Sequence, residues 1–231
     1  MNNSTFDAVL FDCDGVLVDS EPITNGVLRD VLEEAGWKLS PDECMRIFVG
    51  KAVKDEVAVI EAKTGQRIDE QWMIEFRKRR DAGLRARLQP ISGAQAAVLK
   101  IHAHYAGRIA CASGADRAKV ELQLQMCALM PCFEGRIFSG YEVARSKPFP
   151  DVYLAAASAL GVDPKRCAVV EDSVTGVMAG VAAGCTVFGY SPSEAGHDAP
   201  AALLAAGVVK VFTDMAELPG LLTNPAFQPR L

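Results

Sequence analysis

Two aspartates close to the start of the chain directly follow an apolar segment. The run from Asp7 to Phe11 has the composition of a buried strand, and Asp12 and Asp14 come right after it. A carboxylate in such a place could act as a nucleophile, and a second one two residues later could transfer protons. Gly15 permits a sharp turn of the backbone behind them. Because paired aspartates also cap helices and bind calcium, this spacing alone is weak evidence for a site.

Polar residues also follow two other predicted strands and occupy one loop. The strand through Ile109 ends in Ser113-Gly114, the strand through Val169 ends in Glu171-Asp172-Ser173, and Lys147 lies in a loop. The carboxyl ends of parallel strands share one edge of a sheet, where ligands bind in folds of this kind. We therefore expect these side chains to converge with the two aspartates.

This set of side chains suits phosphoryl transfer better than other chemistry. Several carboxylates in one place repel each other and need a divalent cation, and oxygen ligands of this type suit magnesium. A hydroxyl, backbone amides and a lysine can hold phosphate oxygens as negative charge spreads over them. An aspartate that attacks phosphorus forms an aspartyl phosphate and divides one difficult step into two.

Each of these residues also has an ordinary structural explanation. Glu171-Asp172 could cap the following helix, Ser113-Gly114 could form a plain turn, and Lys147 could be a solvated surface lysine. Taken singly, most of the residues are better explained in this way. Their joint position at predicted strand ends is what favours a functional site.

Strands and helices alternate along the chain after Pro90. The pattern predicts strands over residues 108–112, 167–170, 185–190 and 208–212, and helices over residues 93–104, 116–129, 149–160, 174–183 and 199–206. Such alternation indicates an α/β protein with a parallel sheet that helices cover on both faces. The small residues around Gly176 and Gly180 predict that one helix packs closely against this sheet.

Residues 21–88 differ in character from the rest of the chain. They are rich in charge, show helical periodicity, and contain helix stop signals at Gly36 and Gly65. The sequence Ser40-Pro41-Asp42-Glu43 has the pattern of a capping box at the start of a helix. We predict an all-helical segment, in which the basic run Arg77–Arg80 forms a solvated face.

Composition limits the class of protein and of partner. The chain has 231 residues, of which 50% are hydrophobic, and a formal net charge of −5. This acidic balance argues against nucleic-acid binding, which needs clustered Lys and Arg. The absence of a secretory signal and of a long apolar run predicts a cytoplasmic protein without a membrane partner. The seven cysteines include no CxxC pair, so we expect buried, reduced thiols.

Four segments of the chain occur in an order that is typical of one enzyme family. They are Asp12-Cys13-Asp14-Gly15-Val16-Leu17-Val18-Asp19-Ser20, Ala112-Ser113-Gly114, Ser146-Lys147-Pro148, and Val170-Glu171-Asp172-Ser173 with the small residues that follow to Gly184. In this order they resemble the motifs of the haloacid dehalogenase-like phosphohydrolases. The most similar subgroup contains sugar-phosphate phosphatases, phosphoglycolate phosphatases and β-phosphoglucomutase. The resemblance implies a Rossmann-like α/β core with an inserted helical cap.

The resemblance assigns roles to the polar residues. It implies that Asp12 is the nucleophile, that Asp14 is the general acid and base, and that Ser113, Gly114 and Lys147 bind the substrate phosphate. The dehalogenases that gave the family its name lack an acid at the second position and need no metal. The presence of Asp14 therefore favours phosphoester chemistry.

Magnesium is the cofactor that the resemblance implies. Its ligands would be Asp12, the backbone carbonyl of Asp14, and Asp172. Glu171 would be either a further ligand or a residue just outside the ligand shell. The partner that we expect is a small-molecule phosphate ester, with a sugar phosphate as the favoured class.

The resemblance also divides the chain into two parts. Residues 1–19 and 89–231 would form the core that carries the site, and residues 20–88 would form the cap. Caps of this kind close over the site, exclude water and carry specificity.

The junction from Phe48 to Lys54 is the part of the predicted cap that is expected to reach the cleft. Gly50 would permit a close approach of the backbone, and Lys51 or Lys54 could meet an anionic part of the substrate. A solvated loop between two helices is an equally good interpretation of this junction.

Two other functions stay open at this point. Phosphomutases of this subgroup typically place an Arg in the cap loop and a His after the first motif, where this chain has Val53 and Thr24. A non-catalytic binding protein would usually have lost a motif acid, whereas Asp12, Asp14 and Asp172 are all present. The favoured expectation is a monomeric, magnesium-dependent phosphatase.

Overall fold

A six-stranded parallel sheet forms the centre of the protein, in a computed structural model that describes residues 6–48, 51–192 and 197–227. The strands are β1 (Ala8–Phe11), β2 (Ile109–Ser113), β3 (Ile137–Ser139), β4 (Cys167–Glu171), β5 (Thr186–Tyr190) and β6 (Lys210–Phe212). Their order is β3-β2-β1-β4-β5-β6, and each neighbouring pair is parallel. The predicted α/β class with a parallel sheet is confirmed.

The three central strands are apolar along almost their whole length because both of their faces are covered. Every residue of β1, β2 and β4 is buried. Side chains alternate between the faces, so Val9 and Phe11 pack into one hydrophobic cluster, and Ala8 and Leu10 pack into the other. The sequence therefore shows continuous apolar runs here and not an alternating pattern.

Helices cover both faces of the sheet. The α-helices of the described residues are α1 (Glu21–Glu34), α2 (Pro41–Phe48), α3 (Val57–Thr64), α4 (Glu70–Arg87), α5 (Ala94–His104), α6 (Arg117–Met126), α7 (Met130–Phe133), α8 (Asp151–Ala159), α9 (Val174–Ala182), α10 (Pro200–Ala206) and α11 (Leu218–Thr223). Short 3-10 helices cover Val53–Glu56, Pro164–Arg166, Met215–Glu217 and Pro225–Phe227. Helices α5, α6, α7 and α11 contribute to the cluster that contains Val9, and α8, α9 and α10 contribute to the cluster that contains Leu10.

The structure differs from the sequence-based prediction in three places. The helix predicted over residues 116–129 is two helices, α6 and α7, and Ala128 between them has a left-handed backbone with φ of 52°. Asp116 lies before the first turn of α6, as its N-cap, and its carboxylate accepts a hydrogen bond from the Lys119 amide at 3.1 Å. Strand β3 and helix α11 were not predicted, because segments this short carry little periodicity.

Most of the described residues between β1 and α5 are helical, as predicted. We call α1–α4, together with the 3-10 helix between α2 and α3, the helical insertion. Its helices enclose a hydrophobic cluster of Leu28, Leu32, Cys44, Phe48, Ile60 and Phe76. Ile23 and Leu84 instead join the cluster that contains Val9, so α1 and α4 also pack against the core.

Three more local predictions are confirmed. The amide of Ser40 donates to Glu43 Oε2 at 2.9 Å, and the Glu43 amide donates to Ser40 Oγ at 3.3 Å, which is a capping box. A Cβ on Gly180 would lie 2.8 Å from Val187 Cγ2, so glycine allows α9 to pack closely on β5. All seven cysteines are buried and free. Within the described ranges, no helix is both long and apolar enough to cross a membrane.

Replacing Leu10 by alanine should lower the free energy of unfolding by about 2–5 kcal/mol, because it leaves a cavity in a filled cluster. Leu10 is fully buried on β1, whereas Leu99 on α5 is 61% exposed. Leu99→Ala is therefore the matched control, with an expected change within about 0.5 kcal/mol. Urea titration followed by circular dichroism measures both, and equal losses would contradict the burial assigned to Leu10.

Candidate active site

The carboxyl ends of β1 and β4 bring Asp12 and Glu171 side by side. Phe11 pairs with Val170 across the two strands, and the Asp12 amide donates a hydrogen bond to the Val170 carbonyl at 3.0 Å. Asp12 thus directly follows the last paired residue of β1 and is 7% exposed. Glu171 is the last residue of β4 and is fully buried.

Lys147 joins these two carboxylates through its ammonium group. Its Nζ donates to Asp12 Oδ1 and to Glu171 Oε1, both at 2.7 Å. The Tyr153 hydroxyl donates to the same Glu171 oxygen at 2.6 Å. Burial opposes the charge of Lys147, but the two carboxylates outweigh this effect and raise the pKa of the lysine. Lys147 therefore lies where the sequence predicted, and Tyr153 is a partner that the sequence did not reveal.

Asp12, Glu171 and Asp172 form a compact acidic cluster. One oxygen of each lies within 4.8 Å of the others. Burial, with Glu171 and Asp12 nearby, raises the pKa of Asp172 well above its usual range. Burial also raises the pKa of Asp12 to about 7, although Lys147 opposes the shift. The ionised carboxylates are therefore unstable together unless further positive charge enters the cluster.

The backbone beside this cluster lets the Asp172 carboxylate come close to the first motif. Gly15 has a left-handed backbone with φ of 75°, and a Cβ on it would lie 2.0 Å from Asp172 Oδ2. A side chain at this position would therefore displace the carboxylate. Carboxylate oxygens are donors that suit magnesium. The residues present fit the cofactor that the resemblance implied.

Glu171 differs from the other two acids because protein donors occupy both of its oxygens. In addition to the two bonds at Oε1, its Oε2 accepts from the Asp172 amide at 3.1 Å, the Ser173 amide at 3.4 Å and the Ser173 hydroxyl at 3.2 Å. Ser173 itself caps α9, since its Oγ accepts from the Gly176 amide at 3.1 Å. The ordinary explanation of Glu171-Asp172 as the helix cap is therefore wrong.

Asp14 points toward a different set of donors. Its Oδ1 accepts hydrogen bonds from Lys119 Nζ and Gln123 Nε2, each at 2.8 Å, and from the Ser20 hydroxyl. Burial pushes the pKa of Asp14 upward, but Lys119 and these hydrogen bonds outweigh it and hold the pKa below its usual range. Sequence reasoning missed Lys119 and Gln123. Their i, i+4 spacing on the helix after Ser113-Gly114 was the available signal.

Ser113 and Gly114 line the same chamber as Asp12 and Lys147. Ser113 is 1% exposed, and its Oγ accepts from the Ala115 amide at 3.1 Å. The hydroxyl is the acceptor in that bond, so its hydrogen can serve a ligand oxygen. A Cβ on Gly114 would meet nothing within 4 Å, so packing does not require glycine there. The structure thus brings the predicted phosphate-binding residues together.

The chamber extends from the acidic cluster into the helical insertion. Helix α1 lines one part of its wall with Glu21, Thr24, Asn25 and Leu28, which share a face because their spacing is i, i+3, i+4 and i+7. Asn25 Nδ2 donates to Glu21 Oε2 at 2.6 Å. Burial raises the pKa of Glu21 to about 7, and the negative charge of the nearby Asp14 contributes to this shift.

Helix α4 lines another part of the wall with Met73, Phe76 and Arg80. Arg80 is 5% exposed, and its guanidinium donates to Asp116 Oδ2 at 2.6 Å and to Asp81 Oδ1 at 2.9 Å. The prediction that the basic run forms a solvated face is wrong at this residue. Arg80 lies one helical turn after Phe76 and therefore points to the same interior side.

Only part of the junction that was predicted to carry specificity reaches the chamber. Lys51 lines the chamber, with a side chain that is 44% exposed and an Nζ that lies 3.3 Å from the Glu56 carboxylate. Lys54 does not line it in the described structure, and its Nζ donates to the Gly140 carbonyl at 3.3 Å. Gly50 lies outside the described residues.

Comparison with known proteins identifies the family. A model of the haloacid dehalogenase-like hydrolases matches residues 6–184. The 6-phosphogluconate phosphatase of Escherichia coli K12 is 30% identical over 219 residues, which are 94% of this chain and 95% of the relative. Hexitol phosphatase A of the same bacterium is 30% identical over 189 residues, which cover 77% of this chain and 80% of the relative.

A solved structure agrees with these matches. A family hydrolase from Deinococcus radiodurans R1, solved with bound phosphate and sodium, is 35% identical, with a TM-score of 0.76 and coverage of 99% of this chain and all of that one. The family model spans the chain from the first strand to the end of α9. It therefore includes Lys147 and all three residues of the acidic cluster. This protein therefore belongs to the haloacid dehalogenase-like hydrolases.

Proposed function

We propose that this hydrolase is a magnesium-dependent phosphatase of a small phosphate monoester, with a sugar phosphate as its substrate. The observation that carries the proposal is the 2.7 Å contact of Lys147 with Asp12, beside the acidic cluster and in the same chamber as Ser113. A cation next to a buried carboxylate can hold a phosphoryl group for attack. Two relatives are named as phosphatases of 6-phosphogluconate and of hexitols, which supports this substrate class.

Asp12 is the proposed nucleophile. One of its oxygens attacks phosphorus, the bond from phosphorus to the leaving-group oxygen breaks, and the phosphoryl group becomes attached to Asp12. Water then attacks phosphorus, which releases inorganic phosphate and restores the carboxylate. Lys147 supports this role because its ammonium group orients Asp12 and favours the ionised form.

Asp14 is the proposed general acid and base. It would give a proton to the leaving oxygen in the first step and take one from the attacking water in the second. Lys119 and Gln123 both bind its Oδ1, so Oδ2 is the oxygen that can exchange this proton. An anionic phosphate nearby would raise the pKa of Asp14 toward the value that an acid needs.

Asp12, Asp172 and the backbone carbonyl of Asp14 would hold magnesium. The bound ion would neutralise the carboxylates and withdraw charge from phosphate oxygens. We place Glu171 outside the ligand shell, because its two oxygens already accept hydrogen bonds from protein donors. Glu171 would then position Lys147 and the loop before α9.

The substrate phosphate would lie between Ser113, Gly114 and Lys147. An ammonium group has three N–H donors, and Lys147 uses two of them on carboxylates. The third can reach a phosphate oxygen. The Ser113 hydroxyl hydrogen and the backbone amide of Gly114 would supply further donors at the end of β2.

The helical insertion would act as the cap. In this proposal residues 20–88 close over a core of residues 1–19 and 89–231, and Lys51 is the predicted specificity residue that faces the substrate. The ion pair of Arg80 with Asp116 supports closure, since it joins α4 to the N-cap of α6 beside the chamber. Closure of this kind excludes water from the reaction.

The contacts in the chamber favour hydrolysis over the phosphomutase alternative. A mutase would have to bind a second phosphate in the cap, which needs cations that are free to bind it. Lys51 lies 3.3 Å from Glu56, and two carboxylates hold Arg80. Val53 and Thr24 stand about where the arginine and histidine of a mutase are expected.

Purified protein should release phosphate from a sugar phosphate and from p-nitrophenyl phosphate, with turnover that depends on magnesium. Asp12→Asn should lower kcat by roughly 10³-fold or more, because the amide cannot replace the attacking carboxylate. Acid quenching in the first turnover should recover protein-bound phosphate from the wild type only. Asp42→Asn, at an exposed position on α2, is the matched control and should keep wild-type kcat.

Each part of this proposal can be contradicted by a separate experimental result. A folded protein that turns over no phosphate monoester in the presence of magnesium would exclude the phosphatase function. Wild-type kcat in Asp12→Asn would remove Asp12 from the role of nucleophile. Full turnover after chelation of divalent cations would remove the magnesium requirement.

Gly15→Ala should raise the magnesium concentration for half-maximal activity by about 10-fold or more, because its Cβ displaces the Asp172 carboxylate. Gly36→Ala is the matched control. Gly36 also has a left-handed backbone, with φ of 89°, but a Cβ there meets nothing within 4 Å. Both variants should lose about 1–2 kcal/mol of stability through backbone strain. Identical magnesium titrations of the two variants would contradict the role of Asp172 as a ligand.

A further inference from the structure

The part of the chamber wall that α1 forms changes from polar to apolar along the helix. Glu21 and Thr24 lie in the first turn, just after the loop that carries the two aspartates. Leu28 lies about 10 Å beyond Glu21 along the helix axis. There it packs with Phe48 and Phe76, which also line the chamber. A bound ester would therefore meet polar groups near its phosphate and apolar groups at its far end.

The polar part of this wall contains a hydroxyl and a carboxylate oxygen that can form further hydrogen bonds. Thr24 Oγ1 is buried and has no hydrogen-bond partner within the described part of the chain. Asn25 Nδ2 donates to Glu21 Oε2 at 2.6 Å and to the Glu21 carbonyl at 3.1 Å, which holds the carboxylate in place and leaves Oε1 as a further acceptor. Leaving a buried hydroxyl unpaired is unfavourable, so a ligand hydroxyl at Thr24 would be stabilised.

The cations of the chamber are all paired with carboxylates among the described residues. The pairs are Lys51 with Glu56 at 3.3 Å, Arg80 with Asp116 at 2.6 Å, Lys119 with Asp14 at 2.8 Å, and Lys147 with Asp12 at 2.7 Å. Lys147 serves the phosphate itself. Lys51 also lines the chamber, but its ammonium group is paired with Glu56. A second negative charge on the leaving group would therefore face Glu21, the apolar end or a lysine that is already paired, and burial of an unpaired charge is costly.

We propose that the chamber selects a phosphate ester whose leaving group is an uncharged polyol, with Glu21 and Thr24 as specificity-determining residues. This inference rests on the phosphatase function proposed above. Glu21 and Thr24 bind hydroxyl groups close to the phosphate. The apolar end around Leu28 excludes a distal carboxylate or a second phosphate.

Two substrates with the same six-carbon chain test the charge requirement. Sorbitol 6-phosphate is an uncharged polyol apart from its phosphate, and 6-phosphogluconate adds a distal carboxylate. We expect kcat/KM to be at least about 10-fold higher for sorbitol 6-phosphate. Glu21→Gln removes the negative charge and should narrow this ratio. An equal or higher kcat/KM for 6-phosphogluconate in the wild type would overturn the proposal.

Thr24→Val tests hydroxyl recognition, because it keeps the shape of the side chain and removes its oxygen. The ratio of kcat/KM for sorbitol 6-phosphate to that for p-nitrophenyl phosphate should fall by about 10-fold. Thr64→Val on α3 is the matched control, since the Thr64 hydroxyl donates to the Ile60 carbonyl of its own helix at 2.8 Å. Its ratio should match the wild type. An unchanged ratio in Thr24→Val would overturn the role of Thr24.

The aryl phosphate separates failure of this inference from failure of the phosphatase function. If p-nitrophenyl phosphate is hydrolysed but 6-phosphogluconate is turned over as well as sorbitol 6-phosphate, the selectivity for an uncharged leaving group is wrong. If none of the three esters is hydrolysed with magnesium present, the phosphatase function is wrong and the inference falls with it.

Discussion

A buried ammonium group between two carboxylates is the contact on which the rest of the site depends. Lys147 lies 2.7 Å from both Asp12 and Glu171, and the three side chains are at most 10% exposed. Buried charges are costly unless each is paired and hydrogen-bonded. The pairing requires that β1 and β4 be neighbours, that the loop before α8 reach back to them, and that Tyr153 satisfy Glu171. Strand order and site geometry are therefore parts of a single constraint.

Burial raises the pKa of both aspartates of the first motif, but their net pKa shifts have opposite signs. Asp12 and Asp14 are separated by one residue, yet the pKa of Asp12 is raised and the pKa of Asp14 is lowered. The difference arises from their partners: Asp12 shares Lys147 with Glu171, whereas Asp14 accepts hydrogen bonds from both Lys119 and Gln123. Neighbouring acids whose pKa values diverge are suited to different roles. The arrangement supports Asp12 as a nucleophile that needs a further cation beside it. It supports Asp14 as a proton carrier, which already has the cation Lys119 beside it.

The sequence was sufficient to predict the parallel sheet and the meeting of Asp12 and Asp172, because strand ends are marked by the change from apolar runs to polar residues. Lys147 lies in a loop, and the motif Ser146-Lys147-Pro148 predicted its place in the site. The sequence did not reveal Lys119 or Arg80. Both are buried ions on helices, where helical periodicity marks a face without telling whether another element covers it. Each of these residues is buried against a partner that is distant in the sequence: Lys119 pairs with Asp14, and Arg80 pairs with Asp116. Such pairing depends on tertiary contacts that single-sequence patterns do not contain.

In the proposed mechanism, the start of α1 would couple substrate recognition to proton transfer. Ser20 is the N-cap of this helix, and its hydroxyl donates to the Asp14 carboxylate. Glu21 and Thr24, which line the chamber, follow in the first turn of the same helix. A leaving group that forces α1 outward would therefore also move a donor that holds Asp14. Because proton transfer depends steeply on position, a poorly fitting ester would lose in kcat as well as in binding. Under this proposal, specificity would depend on the position of the first turn of α1 as much as on the groups that this turn presents.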